Sequence, residues 1–307
     1  MNVTKAIIPV AGLGTRMLPA TKSIPKEMLP VFDKPLIQYV IEEAISAGIK
    51  EIVLVSREGK SAITEHFNKD FELEAILEKK GKYGLLSTIK SNSSKKIVLK
   101  SVIQHQANGL GDAILCAKSV IGAEPFAVLL PDVLIDEYYY SRFKDNLAAM
   151  IRNFNSTRHS QVMVEKIPTE QTDRYGIVDC HGNYLLPGKN QRISRIVEKP
   201  RKGTAPSNLA VVGRYVFDAT IWPCLEKVKP DRMDEIQLTD AIALLIQQQT
   251  VDAYCIVGRS HDCGNKLGYA MANLEYALRD QHIGALLDRH IKDDVMFRHN
   301  YALAANA

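Results

Sequence analysis

The sequence predicts an α/β fold, a doubly wound and mostly parallel sheet with a smaller β-rich elaboration and C-terminal helices. Three observations predict it. The apolar runs 6–10, 52–55 and 127–130 are continuous rather than alternating, which suits strands covered on both faces. Helix-like segments fall between them, and such strand–helix alternation builds parallel sheets. The first run ends in a glycine loop, Ala11-Gly12-Leu13-Gly14-Thr15-Arg16, at the strand end where such sheets receive ligands.

Residues 6–10 open the sheet. The next segment, 35–47, reads as a helix with Pro35 in its first turn and Gly48 at its C-terminal end. Glu51 to Ser56 forms a second strand. Ile63, Phe67, Phe71 and, beyond a shift in phase, Ile76 and Leu77 predict one charged helix. Residues 79–97 are rich in Lys, Ser and Gly and read as a surface excursion. Val102-Ile103 begins another strand, 111–118 a helix, and 127–130 a further buried strand. From about residue 160 the strands shorten: 161–165, 176–179, 193–198 and 210–217. Residues 267–291 predict a helical region whose stripe Leu267, Met271, Leu274 and Leu278 is expected to cover the protein's own sheet, a subunit contact being the alternative. Residues 301–307 are expected to fray. No linker or internal repeat interrupts the chain, so 1–307 reads as one domain with halves at about 5–150 and 160–265.

With 307 residues, the chain is long enough for a buried core, and 46% apolar and 24% charged residues are ordinary globular values. A net charge of +4, with cations scattered among acids, disfavours nucleic acid as a partner. The five cysteines form no C-x-x-C pair, which argues against a disulfide framework and a structural zinc. The N-terminus enters strand-like sequence at once, predicting no signal peptide, and no run of eighteen apolar residues predicts a membrane span. A reduced, cytoplasmic enzyme is expected.

A strand ending in a glycine loop that carries Arg16 and then Lys26 is suited to phosphates. Glycines admit backbone N–H groups close to the oxygens, and the cations balance charge. The loop is not G-x-x-x-x-G-K-[ST]. Met17 replaces the third glycine of G-x-G-x-x-G, and Ser56-Arg57 stands where a dinucleotide-binding fold needs an acid after its second strand.

The loop, followed by Lys26-Glu27-Met28-Leu29-Pro30 and Lys34-Pro35-Leu36-Ile37-Gln38-Tyr39, resembles the signature of nucleotidyltransferases that join a sugar 1-phosphate to a nucleoside triphosphate. Leu129-Leu130-Pro131-Asp132, Val197-Glu198-Lys199-Pro200, Val212-Gly213-Arg214-Tyr215, the run 234–240 and His261-Asp262-Cys263-Gly264-Asn265-Lys266 continue it in order, over roughly residues 5 to 290. The resemblance implies a Rossmann-like nucleotidyltransferase fold, with a nucleotide-binding first half and a sugar-binding second half. The 234–240 and 261–266 segments favour the uridylyl branch over thymidylyl or cytidylyl ones. That implies UTP and glucose 1-phosphate as substrates, Mg²⁺ as cofactor, and a homodimer or homotetramer.

The same resemblance assigns roles. Asp132 and Asp262 hold the metal, a hard cation that prefers carboxylate oxygen. Arg16, Lys26 and Lys199 are the catalytic cations, the first two on the departing pyrophosphate and Lys199 on the sugar phosphate. Ala11, Gly12, Gly14, Thr15, Glu27, Gln104 and Gly109 bind the nucleotide, the Gln104 amide matching the uracil edge, with a salt bridge to a neighbouring Lys as an equal reading of Glu27. Gly176 and Glu198, with Lys199, hold the sugar. The chain departs from the family pattern at His105 and Asp112, where Gly and His are more usual. Arg214 could reach the sugar phosphate or pair with an acid. Cys263 reads as a packed small hydrophobe. A catalytically weak regulatory paralogue is the rival reading. Such paralogues lose the Thr-Arg of the loop, and Thr15 and Arg16 are intact here.

Overall fold

The computed structural model describes residues 1–59, 62–92 and 97–305, and its central sheet draws strands from both halves of the chain. β1 (Lys5–Pro9) runs into the glycine loop, which continues through 3-10 turns at Thr15–Met17, Ala20–Lys22 and Lys26–Met28. A small hairpin, β2 (Pro30–Val31) and β3 (Lys34–Pro35), then leads to α1 (Leu36–Ser46), with Pro35 as its N-cap. β4 (Glu51–Ser56) falls where expected.

The single charged helix expected next is two, α2 (Ala62–Phe67) and α3 (Phe71–Lys79). The shift in phase is the break between them, where the Asp70 side chain caps α3 by accepting from the Leu73 N–H at 2.9 Å. The surface excursion holds a further helix, α4 (Tyr83–Asn92), which buries Leu86. Of that stretch, residues 93–96 lie outside the described residues. β5 (Val98–Ile103) ends, rather than begins, at Val102-Ile103. It is an edge strand, so Lys100 and Ser101 are tolerated on it and blur its apolar signal.

The predicted helix at 111–118 is α5 (Gly109–Cys116), followed by the short α6 (Lys118–Ile121). Then come β6 (Phe126–Leu129), β7 (Val133–Ile135), α7 (Leu147–Thr157) and β8 (Ser160–Lys166). The later strands are β9 (Gly176–Asp179), β10 (Asn190–Arg192), β11 (Arg195–Glu198) and β12 (Leu209–Phe217). α8 (Ile221–Lys227), α9 (Leu238–Ile246), β13 (Val251–Cys255), β14 (Ser260–Asp262), α10 (Lys266–Leu278) and α11 (Gly284–Ala305) complete the chain. The end expected to fray is helical as far as Ala305.

The main strand order is β10-β13-β8-β12-β6-β1-β4-β5, with β9 joining β12 and β11 joining β9. Six of these eight strands point one way; only β12 and β10 run against them. The second half therefore continues the first sheet, through β12 beside β6.

Alternate residues of the central strands enter two cores. Ile7, Val53 and Val128 meet Ile114 of α5 and Ile242 of α9 on one face. Ala6, Ile8, Ile52 and Leu54 meet Val40 and Ile41 of α1 and Ile151 of α7 on the other. Burial on both faces accounts for the unbroken apolar runs. A third cluster joins Val31, Leu36, Tyr39, Leu134, Cys263 and, from α10, Ala272 and Tyr276. The side of α10 that packs is thus Ala272 and Tyr276, while Leu267, Met271 and Leu274 are exposed, contrary to the expectation that they cover the sheet.

Candidate active site

The ends of several strands and the start of α5 meet at one cleft of about 780 Å³. β1 delivers the glycine loop to its floor, so Ala11, Gly12, Gly14, Thr15 and Arg16 all line it. The loop then folds back, its Thr21 hydroxyl donating to the Gly14 carbonyl at 2.7 Å, and the return brings Lys26 over Gly12. Glu27 is fully buried and does not line the cleft.

Asp132 follows β6, at the C-terminal edge of the sheet. Lys26 Nζ donates to its Oδ2 at 2.6 Å. Burial opposes charge on both groups, yet each offsets that for the other. Lys26 ends above its ordinary 10.5 and Asp132 below its ordinary 3.8. Asp262 arrives on β14, whose register sets it opposite Val133 of β7, and the Cys263 N–H donates to the Asp132 carbonyl at 2.8 Å. Gly264 donates its N–H to Asp262 Oδ1 at 3.0 Å. A Cβ on Gly264 would stand 2.9 Å from Asp132 Oδ2 and 3.0 Å from Asp262 Oδ1. Two carboxylate oxygens thus face one small space that glycine leaves open, a donor set that fits a hard divalent cation.

The opposite wall comes from β9 and β11. Glu198 accepts from the Thr239 hydroxyl at 2.8 Å through Oε2 and pairs with Lys199 Nζ at 2.9 Å through Oε1. Gly176 lies directly against this acid, 3.2 Å separating its would-be Cβ from Glu198 Oε2. The Lys199 N–H donates to the Tyr175 carbonyl at 3.1 Å, and its side chain, which lines the cleft, is about half exposed. On the third side Gln104, just past β5, and Gly109, at the start of α5, line the cleft together. The Gln104 amide nitrogen donates to Asp112 Oδ2 at 2.7 Å and to the Gly109 carbonyl at 3.2 Å.

The cleft also holds residues that sequence reasoning passed over: Glu165, Arg174, Glu235 and Thr239. Glu165 accepts from the Ser260 hydroxyl at 2.5 Å, and burial raises its carboxyl above the usual range. Its signal was available, since it lies near the end of a strand as Asp132 does, and Thr239 lies within the 234–240 run. Arg214 resolves toward its acid: it is fully buried and bonded to Glu43 of α1. Cys263 is buried, and its thiol is pushed up to about 12 by that burial and by the two aspartates, which suits packing rather than nucleophilic work.

A glycine loop, Arg16 and Lys26 beside two carboxylates at the carboxyl end of a mostly parallel sheet suit a nucleotidyltransferase. The family model described as nucleotidyl transferase matches residues 5–278, and the chain belongs to that family. Within it, the chain is 55% identical over 294 residues to the UTP–glucose-1-phosphate uridylyltransferase of Escherichia coli K12, spanning 96% of this chain and 97% of that one. Its fold matches a UTP-bound UGPase from Acinetobacter baumannii with a TM-score of 0.86 and 47% identity, covering 94% of this chain and 98% of the other. It also matches a UDP-glucose pyrophosphorylase complexed with UDP-glucose, with a TM-score of 0.80 and 37% identity over 89% and 98% of the two chains. Among the described residues, no helix is long and apolar enough to cross a membrane.

Proposed function

We infer that this protein transfers the uridylyl group of UTP to glucose 1-phosphate, releasing pyrophosphate and UDP-glucose. Identity of 55% over nearly the full length of a uridylyltransferase carries the reading, and the cleft supplies its chemistry. A phosphate oxygen of glucose 1-phosphate attacks the α-phosphorus of UTP in line. A P–O bond forms, the bond to the β-phosphate oxygen breaks, and that oxygen keeps the electron pair as pyrophosphate leaves. No covalent enzyme intermediate is required, so the protein's work is to position two polyanions and stabilise the leaving charge.

The glycine loop and Arg16 hold the triphosphate, and Lys26 meets the leaving phosphates. Lys199 holds the sugar phosphate, while Glu198 accepts hydrogen bonds from sugar hydroxyls. Glu27 supports Lys26. Asp132 and Asp262 would hold Mg²⁺, which when bound neutralises phosphate charge. The reading extends to a cytoplasmic setting and to a homodimer or homotetramer. The exposed Leu267, Met271 and Leu274 face of α10 is a candidate contact, and light scattering coupled to gel filtration measures the mass directly.

Pyrophosphate release tests the reaction. It should require UTP, glucose 1-phosphate and Mg²⁺ together. Asp132→Asn should lower turnover by on the order of a hundredfold or more, as loss of a transition-state electrostatic group does. Folded protein that binds UDP-glucose yet releases no pyrophosphate from any nucleoside triphosphate would overturn catalysis in favour of a regulatory role.

A further inference from the structure

Resting on the uridylyl reading, we propose that Asp112 is a positioning residue for base selection, locking the Gln104 amide so that its carbonyl oxygen is the atom offered to the nucleobase. The argument is one of donors and acceptors. An amide side chain can turn over and present either a carbonyl oxygen or an NH₂ group, and the two ends have nearly the same shape. At Gln104 the choice is forced. Its terminal nitrogen lies 2.7 Å from a carboxylate oxygen of Asp112 and 3.2 Å from the Gly109 carbonyl oxygen. Both partners only accept, so the amide end between them has to be the donor; turning it over would set oxygen against oxygen twice.

With both N–H groups engaged, the ligand meets only the oxygen. Gln104 is buried apart from its share of the cleft wall, and its own backbone N–H is tied to the Ser56 carbonyl at 2.7 Å, so the side chain is held at its root as well. Asp112 itself does not line the cleft and acts only through Gln104.

A fixed acceptor sorts pyrimidines. Uracil carries a donor at N3, and cytosine carries an acceptor there. A carbonyl held toward that edge accepts from uracil N3–H and confronts a lone pair on cytosine. Thymine also has an N3–H, so the lock distinguishes UTP from CTP and does not separate UTP from dTTP.

The test is kcat/KM for UTP and for CTP, each with glucose 1-phosphate, in wild type, Asp112→Leu, Asp112→Ala and Asp112→Asn. Leu and Ala remove the acceptor and free the amide to turn, so the UTP-to-CTP ratio should fall by about tenfold or more, the worth of one net hydrogen bond. The loss should come from both sides, weaker UTP and improved CTP, which a merely loosened fold does not produce. Asn retains one acceptor oxygen and should keep most of the ratio. An unchanged ratio in folded Leu and Ala variants overturns the role of Asp112, as does an Asn variant that loses as much as Leu. A wild type inert toward UTP overturns the uridylyl reading itself, a distinct result.

Discussion

Lys26 and Asp132 meet in a contact short enough that neither behaves as it would in water, and the sign of each shift sets a pH window. The Asp132 carboxyl is depressed below 3.8, so what it contributes to stability is complete above that value and lost as pH falls through its lower folded value. The Lys26 ammonium is raised above 10.5, so its share is complete below that value and lost as pH rises through the higher folded one. Between them the contribution is flat. Comparing wild type with Asp132→Asn by urea denaturation should therefore give a stability difference that is constant through neutrality and shrinks below pH 3.8. A difference that drifts between about pH 5 and 8 would assign the titration to another group. These two residues were legible in the sequence because each sits at a point of restricted backbone, Lys26 after a proline and Asp132 at the close of an apolar strand. Glu165 lies near the end of β8 in a similar way but was passed over, because Gln161 and Lys166 make that strand more polar. The bond between Gln104 and Asp112 was not legible at all, since it depends on α5 turning back beside the end of β5.

Arg214 shows how one irregularity in a strand can set the active site. The register of β12 against β8 shifts between Val211 and Tyr215, a bulge at Gly213, whose φ is +82°. A Cβ at Gly213 would stand 2.8 Å from Leu130 Cδ1, so the close passage of the bulge over the Asp132 strand end requires glycine. Beyond the bulge, the Arg214 guanidinium bonds Glu43 of α1 through Nε at 3.1 Å and through a terminal nitrogen at 2.8 Å. Its remaining donors take the carbonyls of Leu130 at 3.0 Å and Val133 at 2.9 Å, the two that bracket Pro131-Asp132. One buried cation thus ties α1, β12 and the segment that carries Asp132 together. Removing its counter-charge with Glu43→Ala should cost about 3–5 kcal/mol in urea denaturation, because it leaves a desolvated guanidinium without its acid. Turnover should fall with it as the Asp132 segment loosens. A cost below about 1 kcal/mol would mean that water reaches Arg214. The pattern Gly213-Arg214 was visible in the sequence, but an arginine inside and an arginine on the surface look alike there. Element identity read well where burial was two-sided, as in β1, β4 and β6. It failed at the edge, where β5 was misplaced and the α2–α3 break and α4 were missed. α7 went unread although Leu147, Met150, Ile151 and Phe154 carry helical spacing and are buried.

At the scale of the whole molecule, the two halves expected from the sequence share one sheet, and this has a consequence for how the chain unfolds. β12, from the second half, is hydrogen-bonded to β6 of the first half on one side and to β8 on the other. The joint is also packed. Trp222 of α8 stacks on Phe126 of β6 with ring centroids 4.7 Å apart, and its indole N–H donates to the Gly122 carbonyl at 3.0 Å. Cutting near residue 150 would therefore expose the β6 edge and separate Phe126 from Ile221, Trp222 and Leu225, which share its buried cluster. Neither half keeps its core alone, so the domain of 1–307 should unfold as a single cooperative unit. The protein carries its own probe, since Trp222 is the one tryptophan and stands at the joint. Urea transitions followed by tryptophan emission and by far-ultraviolet circular dichroism should coincide in midpoint and slope, because the joint cannot open while either half stays folded. If emission changed first and most of the dichroism were lost at higher urea, the halves would be separately stable. The sheet would then be two docked units rather than one.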